Sequence, residues 1–340
     1  MESSGSQKSF IKKVWTAASI LVFLVLVVLL LKATVSVILM ILAGTLIALF
    51  FHGFAGLIER KSRLSRTWSM AFSVALTLLS LFLIFWLMGS KIQSQTQELS
   101  AKFPGMVEQA KGHLNQSAIG QKILDQTSGQ NSKKLTSSIK NLFSSTFGVL
   151  GDLYVILFLG LFFTADPKVY KDGIVALVPK PYKKEGVQIL NELGHNLTSW
   201  LKGKLFSMAV VAILTGVGLW VLGIPLVLTL ALVAGILNFI PNFGPIIAMV
   251  PAVLIGLSLG MDKAVTVAGL YIFIQMLESN LITPMIQKKL VSIPPAMIIV
   301  GQLVVGSLTG YLGIILATPV VLIIMVLTTE LYVKKQDNIK

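Results

Sequence analysis

Val14 to Leu31, Val35 to Ile58, Trp68 to Met88 and Leu205 to Leu222 each run without one Asp, Glu, Lys or Arg. Each reaches the roughly 18 residues that an α-helix needs to cross a hydrocarbon core about 30 Å thick. No single water-facing globule hides that much apolar surface: 55% of the chain is hydrophobic and only 12% charged, where a soluble domain carries about 25% charged residues. The bilayer is therefore part of the solvent, and within it every backbone amide must find its partner inside a helix. The expected fold class is an all-α polytopic membrane protein.

The first apolar run follows Lys8, Lys12 and Lys13 as a signal peptide would, but no small-residue cleavage site closes it, so it reads as a retained helix. A tight turn near Lys32 is expected to join it to the second span, which ends in Arg60, Lys61, Arg63 and Arg66. Residues 1–88 then form three N-terminal spans, a scaffold. Residues 89–141 are polar, with Leu99, Phe103, Met106, Ala110 and Leu114 at spacings of three and four, the pattern of an amphipathic helix in an extracytoplasmic insert. The fourth span, 142–164, stops at Ala165-Asp166-Pro167, where proline cannot continue the turn. Residues 165–204 carry their apolar residues among many lysines and read as short helices on a membrane surface.

The C-terminal region, 205–333, is less regular. Pro225 to Ile240 spans about 24 Å as a helix and Ile246 to Leu259 less, too short for ordinary crossings. Around Pro241-Asn242-Phe243-Gly244-Pro245 they read as a hairpin that enters and leaves by one face. Ala264 to Leu281 is long enough to cross. Pro295 to Thr329, interrupted between Gly306 and Gly313, reads as a second hairpin or one long broken helix. Six full spans plus two re-entrant or broken hairpins, eight helical membrane elements, put both the N-terminus and the 334–340 tail in the cytoplasm. That arrangement keeps Arg60 to Arg66, residues 165–204, Lys288, Lys289, Lys334 and Lys335 inside, as the positive-inside rule requires. It also accounts for the net charge of +14 without a nucleic-acid partner.

The segment GILNFIPNFGPIIAMVPAVLIGL, Gly235 to Leu257, resembles the signature of the AI-2E family of autoinducer-2 exporters and PerM-like permeases. ESNLITPMIQKKLVSIPP, Glu278 to Pro295, and GYLGIILATPVV, Gly310 to Val321, match the family's order. In place of the family's frequent His-Pro pair stands Ile293-Pro294-Pro295, which argues against a proton-carrying histidine there. The resemblance implies a bacterial inner-membrane transporter that exports a small polar solute such as autoinducer-2 or acts as a sodium/proton antiporter, with H+ or Na+ as coupling ion. It also implies a homo-oligomer, a pentamer among the arrangements.

Non-helical backbone at membrane depth is tolerated only against protein or a water-filled cavity, and broken helices form substrate sites in secondary transporters. Asn238, Pro241, Asn242, Gly244 and Pro245 are therefore the candidate transport hairpin, Asn238 and Asn242 offering amides to a solute. The alternative is a structural bend capped by asparagines. Glu278, beside Asn280 and ahead of the Thr283-Pro284 break, is expected to end a helix, either in a coupling or gating role or as a solvated cap. Asp152 is the other acid in an apolar run and is set against snorkelling, or pairing with a lysine such as Lys140 of a neighbouring subunit. Gln302 and Gln275 either line a pathway or join helices.

His52, His113 and His195 lie apart without companions at ligand spacing, and the chain has no cysteine, so no metal site is expected. There is no Walker A sequence and no paired carboxylates on one helix face, and neither enzyme activity nor a cofactor is expected. Besides the carrier, two readings stand open: an oligomeric channel lined by repeated helices, and a membrane scaffold that recruits other proteins.

Overall fold

The computed structural model describes residues 3–62, 64–80, 82–83, 86, 146–287 and 293–337. The insert expected at 89–141, with its Leu99 to Leu114 stripe, and Lys288 and Lys289 lie outside the described residues. Every regular element among the described residues is helical: α1 (Ser3–Ser62), α2 (66–80), α3 (Thr146–Ala165), α4 (Pro167–Ala176), α5 (Lys183–Val221), α6 (Val227–Leu237), α7 (Phe243–Leu259), α8 (Met261–Leu277), α9 (Pro295–Thr309) and α10 (Tyr311–Thr328). A π turn, Glu278–Ile282, and one α turn, Thr283–Gln287, continue α8. A second π turn, Thr329–Val333, prolongs α10.

Four helical stretches among the described residues are long and apolar enough to cross a membrane: Ala33–Ser62, Lys180–Val221, Met261–Met285 and Tyr311–Gln336. A fifth joins them if α3 and α4, bent by 92° at Asp166, count as one. Three apolar helices, α6, α7 and α9, are shorter.

Two expected breaks are absent. The tight turn near Lys32 is replaced by continuous helix through α1; the chain holds neither Gly nor Pro between Val14 and Ala43, and one lysine does not stop a helix. Nor does a helix begin at Leu205. α5 runs unbroken for 39 residues from the basic segment into the span, since no proline lies between Pro181 and Pro225. In the basic segment α4 remains a separate short helix, and a 3₁₀ turn, Lys180–Tyr182, leads into α5. The stop at Ala165 falls where expected: Asp166 accepts the Val169 N–H at 3.4 Å and Pro167 takes the first helical position.

In lipid no hydrophobic effect drives helices together, and close contact between small residues does that work. Along α5, Gly216 lies against Ala231 and Ala212 against Gly235, so α6 runs back antiparallel to α5. α7 then reverses direction, and Gly256 meets the start of α8 at Ala264. Lys263, at that same end, donates to the Leu222 carbonyl at 2.6 Å. The α6–α7 hairpin thus starts and finishes beside the C-terminal end of α5. Gly301 of α9 packs at Ala317 and Val321 of α10, and Gly306 at Ile314. The region from Pro295 is therefore a hairpin that reverses at Gly310, whose φ of 69° a side chain would resist.

Two buried clusters hold the bundle. One unites Leu39, Leu42 and Leu46 of α1 with Ile156 of α3, Leu201 of α5 and Leu316 of α10. The other gathers Val211 and Leu219 of α5 with Leu230 of α6, Ala252 of α7 and Val267 of α8. α5 belongs to both and ties the N-terminal helices to the hairpins. At its other end the C-terminal tail closes on it: Lys335 pairs with Glu185 at 2.7 Å and stands over the Tyr182 ring.

Candidate functional site

The α6–α7 turn is built by residues that forbid a straight helix. Asn238 ends α6 with its N–H still on the Ala234 carbonyl, 2.9 Å away. Pro241 has no N–H to give, and Asn242 takes φ 65° and ψ −54°, a backbone conformation that costs a non-glycine residue about 1 to 3 kcal/mol. Gly244 follows with its N–H on the Ile240 carbonyl at 3.0 Å. A β-carbon at Gly244 would stand 1.8 Å from the Leu237 carbonyl oxygen, so only glycine lets the two arms close. Pro245 falls in the first turn of α7, where its missing donor goes unfelt.

The turn sits deep. Asn238 lies beside Ser207, about 21 Å along α5 from its end at Val221. The Asn238 amide nitrogen donates to Ser207 Oγ at 2.9 Å, and Ser207 donates on to Glu278 Oε1 at 2.9 Å. Thr283 adds a second hydroxyl to the same carboxylate oxygen at 3.2 Å. Asn238, Ser207 and Glu278 are buried, at 1%, 1% and 7% exposure. Half-buried Lys204, one turn before Ser207, acts on Glu278 electrostatically. From the other hairpin, Gln302 donates from Nε2 to the Pro241 carbonyl at 2.8 Å, while its buried Oε1 has no partner.

Glu278 does not end its helix. The chain passes through the π turn into Thr283–Gln287, with the Thr283 N–H reaching back to the Glu278 carbonyl. The wider turn lets the helix continue past Pro284, which would otherwise clash with the preceding turn. Of the expected site residues, Asn238 and Glu278 are linked through Ser207, Gln302 bonds to the Pro241 carbonyl, and Gly244 closes the same turn on Ile240. Asn242 is exposed at the turn, Asn280 bonds back to the Met276 carbonyl at 2.9 Å, and Pro284 is exposed. Asp152 stands apart, taking the Tyr311 hydroxyl of α10 as its partner.

Ser207 and Thr283 are the members that reading the chain missed. Ser207 carries a signal, as the one hydroxyl between Leu205 and Leu214, but nothing local pairs it with a residue 71 positions away. The Gly256 to Gly260 pentapeptide has the Gly-x-Ser-x-Gly spacing of a hydrolase elbow, which requires a strand-to-helix turn. Here Ser258 lies in the last turn of α7 and donates to the Ile255 carbonyl at 2.8 Å.

Comparison with known proteins bears on this geometry. Residues 19–332 match the family described as AI-2E family transporter. A Bacillus subtilis protein named for transport, YrrI, is 34% identical over 173 residues, covering 51% of this chain and 49% of YrrI. A second from the same organism, YueF, also named for transport, is 26% identical over 298 residues, 83% of this chain and 80% of YueF. PerM of Escherichia coli, named as a permease, is 25% identical over 195 residues, 55% of this chain and 54% of PerM.

Proposed function

Since the chain belongs to the AI-2E transporter family, with several helices fit to cross a bilayer, we propose that it is a secondary transporter. In this reading it exports a small polar solute of the autoinducer-2 kind across the bacterial cytoplasmic membrane, and the C-terminal tail faces the cytoplasm. The α6–α7 and α9–α10 hairpins form the substrate-holding unit, α1 to α3 serve as scaffold, and copies assemble as a homo-oligomer. The turn from Asn238 to Pro245 is a re-entrant tip at membrane depth.

One observation carries the proposal: a carboxylate, Glu278, buried at a π turn and tied through Ser207 to the hairpin residue Asn238. Ionisable groups at such depth are costly and mark ion or proton pathways. π turns recur at functional positions for a related reason, because they free backbone groups within a helix. Protonation of Glu278, or its neutralisation by Na+, changes what Ser207 can donate to, and so changes the hold on the turn. A charge moved across the membrane is worth about 2.3 kcal/mol per 100 mV, enough to couple such a change to a gradient.

The test is flux in reconstituted vesicles under an imposed proton or sodium gradient, with a panel of labelled polyhydroxylated solutes. Glu278→Gln keeps the hydrogen-bond acceptor and removes the charge; it should retain folding and lose gradient dependence. A variant whose flux still follows the gradient excludes Glu278 as the coupling group. Two other readings give different outcomes in the same vesicles. A sodium/proton antiporter exchanges the ions with no solute present, using the same carboxylate. An oligomeric channel passes solute at rates that do not saturate at low concentration.

A further inference from the structure

Next to the polar cluster, on the other side of the turn, lies a cavity of about 400 Å³. Asn238 faces the cluster; its neighbour Phe239 lines the cavity and meets Trp200 edge-on at 5.7 Å. Its walls come from α1, α3, α5 and α10, with Ala43, Phe50, Ile156, Leu201 and Leu316 among them. Among the described residues one charged side chain lines it, Asp152, with Tyr311 beside it. Both stand at the rim: Asp152 is half-buried, and Tyr311, 40% exposed, donates its hydroxyl to Asp152 Oδ2.

We propose that this cavity is a binding site for a single-chain amphiphile with a primary-amine head, the alkyl chain filling the apolar walls and the ammonium held by Asp152. The volume falls within the range of small-molecule pockets, and at about 30 Å³ per water-sized unit it holds on the order of a dozen chain atoms. Apolar cavities less than half this size take up hydrocarbons rather than water. A polyhydroxylated solute fits badly, since each hydroxyl buried against these walls would lose its hydrogen bonds to water with no replacement. An anionic head fits badly too. Among the described residues no Lys or Arg lines the walls, and Asp152 repels it. An ammonium supplies three donors, and among the described residues Asp152 Oδ1 has no partner to compete for them. The occupant would touch Phe239 at one hairpin and Tyr311 at the start of α10, so the site goes beyond the transport reading and stands whether or not that reading holds.

The chain has no cysteine, so Ala43→Cys places one thiol on the cavity wall. The full-length variant in lipid nanodiscs is alkylated with N-ethylmaleimide in the presence of decylamine, decanol or decanoate at equal membrane mole fraction. Val265→Cys, whose parent side chain is 64% exposed, reports any general effect of the additives on the membrane. Decylamine should slow alkylation of Ala43→Cys about tenfold relative to decanoate, the scale of one charge-assisted hydrogen bond. Adding Asp152→Asn should erase that difference, and adding Tyr311→Phe, which leaves the carboxylate, should preserve it. Equal protection by decanoate, protection of Val265→Cys as strong as that of Ala43→Cys, or an amine preference that survives Asp152→Asn would each overturn the proposal. So would a thiol at Ala43→Cys that does not react in membranes free of additive.

Discussion

Gly244→Ala adds one carbon where the structure leaves no space for it. The new β-carbon would lie 1.8 Å from the Leu237 carbonyl oxygen and 2.6 Å from its carbon, where real β-carbons keep beyond 3.0 Å. Leu237 is backbone at the end of α6, so no side-chain rotation relieves the clash, and the arms must part by more than about 1 Å. That movement strains two bonds that close the turn, Gly244 N–H to the Ile240 carbonyl at 3.0 Å and Gln302 to the Pro241 carbonyl at 2.8 Å. Each is worth about 1 kcal/mol net, and more when a buried partner is left unsatisfied. Against this stands a gain of up to about 1 kcal/mol from replacing glycine in a helix. The expected net loss is about 2 to 4 kcal/mol. Gly269→Ala is the control: nothing lies within 4 Å of its added carbon, on the exposed face of α8. Unfolding of both purified variants in one detergent, followed by intrinsic fluorescence, should separate them by about 3 to 5 kcal/mol, because the control makes the same gain without the clash, and Gly244→Ala should transport poorly even where it still folds. If the two variants unfold together, and Gly244→Ala transports normally, the close approach of the arms is not what sets the hairpin.

Asn242→Gly should leave stability unchanged or raise it by about 1 kcal/mol, because glycine adopts φ 65° without strain, while Asn242→Val should lower it; thermal unfolding of the pair decides. Ser207→Ala orphans the Asn238 amide nitrogen and leaves Glu278 Oε1 with Thr283 as its remaining partner, and should cost about 1 to 3 kcal/mol. Combined with Asn238→Leu in a double-mutant cycle, it should reveal a coupling of about 1 kcal/mol or more; additive effects would refute the link. Single cysteines at Ser62, Lys183 and Lys335 should react with an impermeant maleimide from one side of the membrane and Lys263→Cys from the other. Labelling of Lys183→Cys and Lys335→Cys from opposite sides would contradict the Glu185–Lys335 contact.

Breaks made by local chemistry were legible in the sequence: Asp166-Pro167, the Pro241 to Pro245 turn and the glycine-interrupted Pro295 to Thr329 stretch all fold as hairpins or bends. Lys32 misled because a charge inside an apolar run marks where a chain meets water, not where a helix must stop; only Gly, Pro or a competing cap does that. Leu205 misled similarly, as a change of solvent along α5 leaves its backbone bonds unaltered. Glu278 was legible as an unusual residue and Pro284 as a break, but no local pattern records that the helix widens there instead of stopping and carries Glu278 against Ser207 of α5. The role of Ser207, a lone hydroxyl in an apolar run, was hidden in a stronger form: it rests entirely on partners brought from α6 and from the turn after α8.

The α6–α7 hairpin begins and ends beside the same end of α5, with Lys263 reaching the Leu222 carbonyl there. In the proposed re-entrant reading it therefore counts as zero in crossing parity. Everything downstream of Gly260 keeps its sidedness however far the Asn238–Pro245 tip is pushed in or drawn back, and no later segment has to be rethreaded when it moves. A full span has no such freedom, since displacing it drags a loop of the opposite polarity through hydrocarbon. On that reading, what resists such a movement is local, namely the hydrogen bonds of the tip and the packing of Leu230, Ala234 and Ala252 against α5 and α8.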